Sequence, residues 1–203
     1  MKDIYRAHPW HGVDLWTDDS KKIVNVYIEI VPEDRIKYEI DKKSGILKVD
    51  RPQKYSNVIP CLYGFLPRTF SGPLSGKLAS EKLGKDLKGD EDPVDICVLT
   101  DRDFKHGDFL LEAIPIGGMR MIDNDEIDEK VIAVLKNDTT YGDITDLNQL
   151  PHRLLDAIKH YFLTYKNFPQ DKHQKVSIDE MYDSASAYDV IRAGEEDYDK
   201  VPG

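Results

Sequence analysis

The chain has 203 residues, 40% of them hydrophobic and 33% charged, with a formal net charge of −10. That suffices for one domain with a real core and is too apolar for a disordered chain. No apolar run nears the ~20 residues of a membrane span, and an acidic chain repels nucleic acid and anionic membranes. The first residues, MKDIYRAHPWHGVDLW, lack the apolar core of a secretory signal. With only Cys61 and Cys97 as thiols, the expectation is a cytoplasmic protein.

Taken in chain order, strands come first. The β-branched run IVNVYIEIV (23–31) stops at Pro32, and RIKYEID (35–41), the turn KKSG (42–45) and ILKVDR (46–51) read as a hairpin. On its first arm Lys37 and Glu39 share one face, and Ile36, Tyr38 and Ile40 the other. Residues 66–89 are rich in Gly, Ser and Lys without a clear period and read as a long surface loop. Their GPLSGKL imitates a phosphate-binding loop but has three residues between its glycines and Leu78 after Lys77, so neither the loop geometry nor a magnesium-binding hydroxyl is present. PVDICVLT (93–100), DFLLEAIPIGG (108–118), GMRMID (118–123) and KVIAVLK (130–136) complete a strand-rich block, which suggests a sandwich or a small barrel. A helix is expected from Asp146 to Lys166, on the spacing of Leu154, Leu155, Ile158, Tyr161, Phe162 and Tyr165, and a second one over 179–198.

The chemistry is concentrated in two acidic stretches. In KGDEDPVDICVLT, Asp90, Asp92 and Asp95 stand at the mouth of a buried strand, where carboxylates repel one another. An extended Asp90–Asp92 stretch followed by a bend at Pro93 would make the three converge, and hard oxygens so grouped suit Mg2+ or Mn2+. A calcium loop is excluded, because its glycine and its final glutamate are missing. In MIDNDEIDEKVIAVL, Asp123, Asp125, Glu126 and Asp128 precede another strand. Two such clusters facing one cavity could share several cations, an arrangement suited to phosphoryl chemistry. Lys37, Arg51 and the Tyr165–Lys166 pair could supply cations and hydroxyls to phosphate oxygens. Taken singly, each of these signals also fits an ordinary solvated surface. The six histidines show no zinc spacing.

The order of IEI, KYEIDKKSGILKVDR, PCLYGF, DEDPVDI, MIDNDEIDEK and HYFLTYK resembles the family I soluble inorganic pyrophosphatases from about Ile28 to Lys166. The resemblance implies a mostly β fold with flanking α-helices, built on an OB-like five-stranded β-barrel. It implies one domain over 1–203, with the barrel at about 23–136, helices at about 146–200 and an inserted surface loop at 66–89. The implied reaction is hydrolysis of diphosphate to two phosphates by a metal-activated water, with several Mg2+ ions per site and Mn2+ as a substitute. Carried over residue by residue, the metal ligands fall on Asp90, Asp95, Asp123 and Asp128, and the base that deprotonates the water on Asp92. Lys37, Arg51, Tyr63, Lys130, Tyr165 and Lys166 bind the phosphates, Tyr165 also assisting catalysis, while Glu29 and Glu39 act behind them. Diphosphate is the implied partner, without nucleic acid or membrane, in a homo-oligomer. Two departures stand out: Ile59 where the family often has tyrosine, and Asn124 where an acidic residue commonly follows the matching aspartate. A nucleic-acid-binding barrel would need a basic groove with stacking aromatics, which the acidic balance disfavours.

Overall fold

The computed structural model describes residues 6–166 and 176–201. Among the described residues, ten strands and three α-helices follow one another as β1 (Val24–Ile30), β2 (Ile36–Ile40), β3 (Leu47–Pro52), β4 (Leu62–Phe65), α1 (Pro73–Leu83), β5 (Lys88–Gly89), β6 (Asp95–Leu99), β7 (Phe109–Asp123), β8 (Glu126–Ile127), β9 (Lys130–Leu135), α2 (His152–Thr164), β10 (Val176–Asp183) and α3 (Ser184–Asp199). Strands β1, β4, β6, β9 and β7 pair in that order, and β7 returns to β1, so five strands close a ring. Closure removes the sheet edges that a flat arrangement would expose. All ring pairings are antiparallel except β6 with β9, where Asp95 lies beside Lys130. Parallel pairing of these two strands puts both side chains at one end of the barrel. The hairpin β2–β3 stands apart from the ring as its own two-stranded sheet, with a bulge between Lys37 and Tyr38.

Alternation along the ring strands sorts side chains into two cores. One, with Val24, Val26, Ile28, Leu62, Ile96, Val98 and Val131, packs beneath Val190 and Ile191 of α3. The other, with Ile30, Cys61, Cys97, Ile132 and Val134, packs beneath Ile158 and Phe162 of α2. Ile59 belongs to this second core and is fully buried, so its departure from tyrosine is filled by packing. Trp10, Tyr27, Ile40 and Phe65 form a smaller cluster joining the N-terminal segment to the hairpin.

Several boundaries differ from the expectations. The two runs 108–118 and 118–123 are one strand, β7, because a bulge between Pro115 and Gly117 absorbs the break. Gly117 adopts φ 151 there, a conformation open to glycine. The helix expected from Asp146 begins at His152. A 3₁₀ turn over Leu147–Gln149 precedes it, capped reciprocally by Asp146 and Gln149, and Leu150 is extended because a residue before proline avoids the helical region. The helix expected over 179–198 starts at Ser184, since residues up to Asp183 pair with β7 as β10. A bulge between Ile178 and Glu180 obscures the alternation of that strand. Residues 66–89 are not a surface loop. They contain the eleven-residue helix α1, whose Ser75, Gly76 and Ala79 are buried. Its small residues give almost no apolar stripe, which is why periodicity misses it. The parts of the expected helical region at 167–175, with His173, lie outside the described residues.

Candidate active site

Strands β6 and β9, the turns before them and the hairpin surround a cavity of about 230 Å³. It is lined by Lys37, Arg51, Tyr63, Asp90, Asp92, Asp95, Asp123, Glu126, Asp128, Lys130, Tyr165 and Lys166. Eleven of these twelve residues were expected at the site; Glu126 lay in the second acidic stretch without an assigned role. It reaches the cavity because β8 pairs it directly with Asp123. A tight turn makes that pairing possible, and Asn124 supplies it with φ 60, a left-handed conformation that asparagine tolerates better than most residues. Its amide also donates to Asp123 Oδ1 at 3.1 Å.

The aspartate triplet converges, though not by the expected route. The stretch is not extended: Glu91 takes a left-handed φ of 61, and Asp92 N donates to Asp90 Oδ1 at 3.2 Å. The turn therefore lies at Glu91 rather than at Pro93. Asp95 opens β6 and is held by two donors, the Tyr63 hydroxyl at 2.5 Å and Lys130 Nζ at 2.5 Å. Lys130 also donates to Asp128, and with 1% exposure it is among the most buried charged groups in the protein. Burial opposes its charge, but Asp128 and Asp95 hold its ammonium well above the ordinary lysine range.

Crowding of like charges is legible in the carboxyls. Burial, reinforced by the field of Asp128, pushes Asp90 up to about 8. Burial likewise raises Asp128, although Lys130 counteracts it. On the opposite wall Lys166 pairs with Asp123 and lies 5.3 Å from the Tyr165 ring centroid. Arg51 lies 5.9 Å from that ring and bonds Asp50 at 2.7 Å. Lys37 joins Asp50 at 2.8 Å and Glu39 at 3.2 Å. Burial opposes the Lys37 charge, but Asp50 and Glu39 raise its affinity for the proton.

Glu39 and Glu29 lie outside this cavity. They line an adjoining one of about 400 Å³ that shares Lys37, Tyr63, Asp92 and Asp95 with the first. Glu29 accepts the Ile40 amide at 2.7 Å and thereby fastens β1 to the hairpin. Lys42, which sequence reasoning left aside, forms an ion pair with Asp92 across the boundary. Nothing local signals that role, since the hairpin has to fold back over the barrel to bring the pair together.

Among the described residues no three acidic, imidazole or thiol donors stand as a ready cation cage; Lys130 and Lys166 neutralise the aspartates instead. The donors are nonetheless of the type that hard divalent cations select, and Asp90, with its raised carboxyl, gains from any positive charge brought near it.

The chain and its fold have known relatives. The family model described as inorganic pyrophosphatase matches residues 26–199. An inorganic pyrophosphatase from Chlamydia trachomatis serovar L2 is 51% identical over 95% of this chain and 94% of its own length. The crystal structure of the inorganic pyrophosphatase from Thermus thermophilus superposes with a TM-score of 0.78 at 26% identity, covering 96% of this chain and 99% of that one. The Helicobacter pylori inorganic pyrophosphatase superposes with a TM-score of 0.74 at 32% identity, covering 92% and 98%.

Proposed function

The chain belongs to the inorganic pyrophosphatase family and hydrolyses diphosphate to two phosphates, and from that premise we propose how its cleft divides the work. Asp90, Asp95, Asp123 and Asp128 hold divalent cations, with Mg2+ as the ion and Mn2+ as a substitute. The single observation that carries this reading is the meeting of two acidic loops and four cationic side chains around one 230 Å³ cavity. Cations held there would supply Lewis acidity toward the phosphates and would make a water nucleophilic at neutral pH.

The remaining steps belong to the side chains. Asp92 accepts the proton of the attacking water, and its pairing with Lys42 supports a fixed orientation for that carboxylate. Lys37, Arg51, Lys130 and Lys166 grip the phosphate oxygens, each exchanging a carboxylate partner for a substrate oxygen. The Tyr63 and Tyr165 hydroxyls donate to the same oxygens, and Tyr165 stabilises the charge that develops on the leaving phosphate. Glu29 fastens the hairpin to the barrel, and Glu39, within the hairpin, holds the Lys37 ammonium.

Among the described residues no helix is long and apolar enough to cross a membrane. A cytoplasmic setting is proposed on the two buried free cysteines, Cys61 and Cys97. A homo-oligomer is proposed as well, with the exposed Ile46 and Val49 of the hairpin region as apolar surface available to it.

The test is phosphate release from diphosphate under defined metal conditions. Turnover is expected to vanish in excess chelator and to return with Mg2+. Ca2+ is expected to bind but to support little turnover, because its looser coordination orients the reactants poorly. Robust hydrolysis in excess chelator would end the proposal.

A further inference from the structure

The segment between β4 and β5 has no role in the scheme above, yet it is bonded to the acidic loop at every residue that matters. Ser71 N donates to the Asp92 carbonyl at 2.7 Å, and the Ser71 carbonyl accepts Glu91 N at 3.0 Å. Ser71 Oγ accepts Asp90 N at 3.4 Å. One residue thus touches three successive backbones of the loop that carries Asp90 and Asp92. Just beyond, Thr69 Oγ1 accepts Val94 N at 2.9 Å while donating to the Leu66 carbonyl at 2.7 Å. The fit leaves no slack. A Cβ built on Gly89 would lie 2.0 Å from the Ser71 carbonyl oxygen, so only glycine allows this approach.

Ser71 is itself held from the far end of the chain. Asp197, in the last turn of α3 and 3% exposed, receives four donors: Gly72 N at 3.1 Å, Leu74 N at 2.9 Å, Ser75 N at 2.9 Å and Ser75 Oγ at 3.0 Å. Three of these donors are amides at the start of α1, which Gly72 cannot cap because it has no side chain. Phe70 N donates to the Gly194 carbonyl of α3 at 2.9 Å, one residue before Ser71. A buried carboxylate in this position holds a loop start more tightly than a neutral cap, since charge-assisted bonds are about twice as strong.

We infer that Asp197 and Ser71 are positioning residues for diphosphate hydrolysis: the C-terminal helix, acting through the start of α1, moulds the loop that sets Asp90 against Asp92. The inference rests on the assignment of Asp90 to a cation and of Asp92 to the attacking water. Neither Asp197 nor Ser71 lines the cavity. Their effect is on spacing, and a displacement of about 1 Å at a reacting group can lower the rate by about 10²-fold.

The experiment compares Asp197→Asn, which keeps the shape but loses the charge, with Gly89→Ala, which wedges the loop off Ser71. Asp183→Ala is the control. It removes the cap of α3, where Asp183 accepts Ser186 N at 2.9 Å, without touching the loop. Thermal unfolding, Mg2+ affinity by calorimetry without substrate, and kcat at saturating Mg2+ are read for each. The expected result is a 10–100-fold loss of Mg2+ affinity in both loop-directed variants, the size usual for groups that orient metal ligands. A fall of at least 10-fold in kcat is expected to persist at saturating Mg2+, while Asp183→Ala loses stability alone. Folded Asp197→Asn and Gly89→Ala proteins with kcat and Mg2+ affinity within twofold of wild type would overturn the inference. Asp92→Asn, measured alongside, separates the two levels: if it turns over normally, the underlying site assignment has failed, and if it alone is impaired, only the positioning role has.

Discussion

Replacing Glu29 by glutamine should stabilise the protein in a way that depends on pH. Glu29 is almost wholly buried, and its Oε1 accepts the Ile40 amide at 2.7 Å. Burial, with the fields of Asp95 and Glu39 adding to it, pushes its carboxyl from the ordinary 4.5 up to about 8. Between those two values the folded protein holds a proton that the unfolded chain has released. Stability contributed by this group is therefore complete below about 4.5 and is lost as pH rises through about 8. Each pK unit is worth about 1.36 kcal/mol, so the 3.5-unit rise corresponds to a loss of up to about 5 kcal/mol. For a domain of this size that amounts to about 10–20 °C in Tm. Glutamine keeps the oxygen that accepts from Ile40 and never ionises. In chelator-containing buffer, Tm of Glu29→Gln should match wild type near pH 4.5 and exceed it increasingly up to pH 9. A Tm difference that stays constant across this range would refute the argument.

Asp92→Asn should lower turnover by roughly 10²–10⁴-fold with Mg2+ and diphosphate still bound, the usual worth of a positioned base. Raising the pH should recover part of the loss in the pH–rate profile, whereas Asp95→Asn should weaken Mg2+ affinity first. Lys37→Ala and Arg51→Ala should each impair hydrolysis by about 2–5 kcal/mol of lost anion stabilisation while circular dichroism stays native; full turnover in either would return the hairpin face to ordinary surface. Arg120 bonds Glu129 at 2.8 Å with both side chains buried, and reaches Glu180 at 2.7 Å. Arg120→Met should therefore cost about 3–5 kcal/mol in denaturant unfolding, by stranding a buried carboxylate. The double change Arg120→Met with Glu129→Leu should recover most of that loss, and equal stability of the single and double variants would contradict the pairing.

Local pattern was enough to mark several of the strands. β1, the hairpin, β6 and β9 show openly as alternating or continuous apolar runs, and the two acidic stretches stand out before β6 and β9, although either alone also fits a solvated surface. The spacing of Lys37 and Glu39 places them on one arm of the hairpin, and their contact at 3.2 Å follows directly. What the local pattern could not supply depends on which segments meet. Helix α1 has no apolar stripe and exists because Asp197, more than 120 residues away, accepts its first amides. The turn at Glu91 follows from Ser71 bonding to both sides of it. Lys42 reaches Asp92 only after the hairpin folds over the barrel, and Glu126 enters the cleft only through pairing with Asp123. Residue types and their order determine which groups are chemically able to act. The distances between those groups come from contacts between remote segments, since a carboxylate's neighbours, and hence its charge and orientation, are set by whatever the completed fold packs against it.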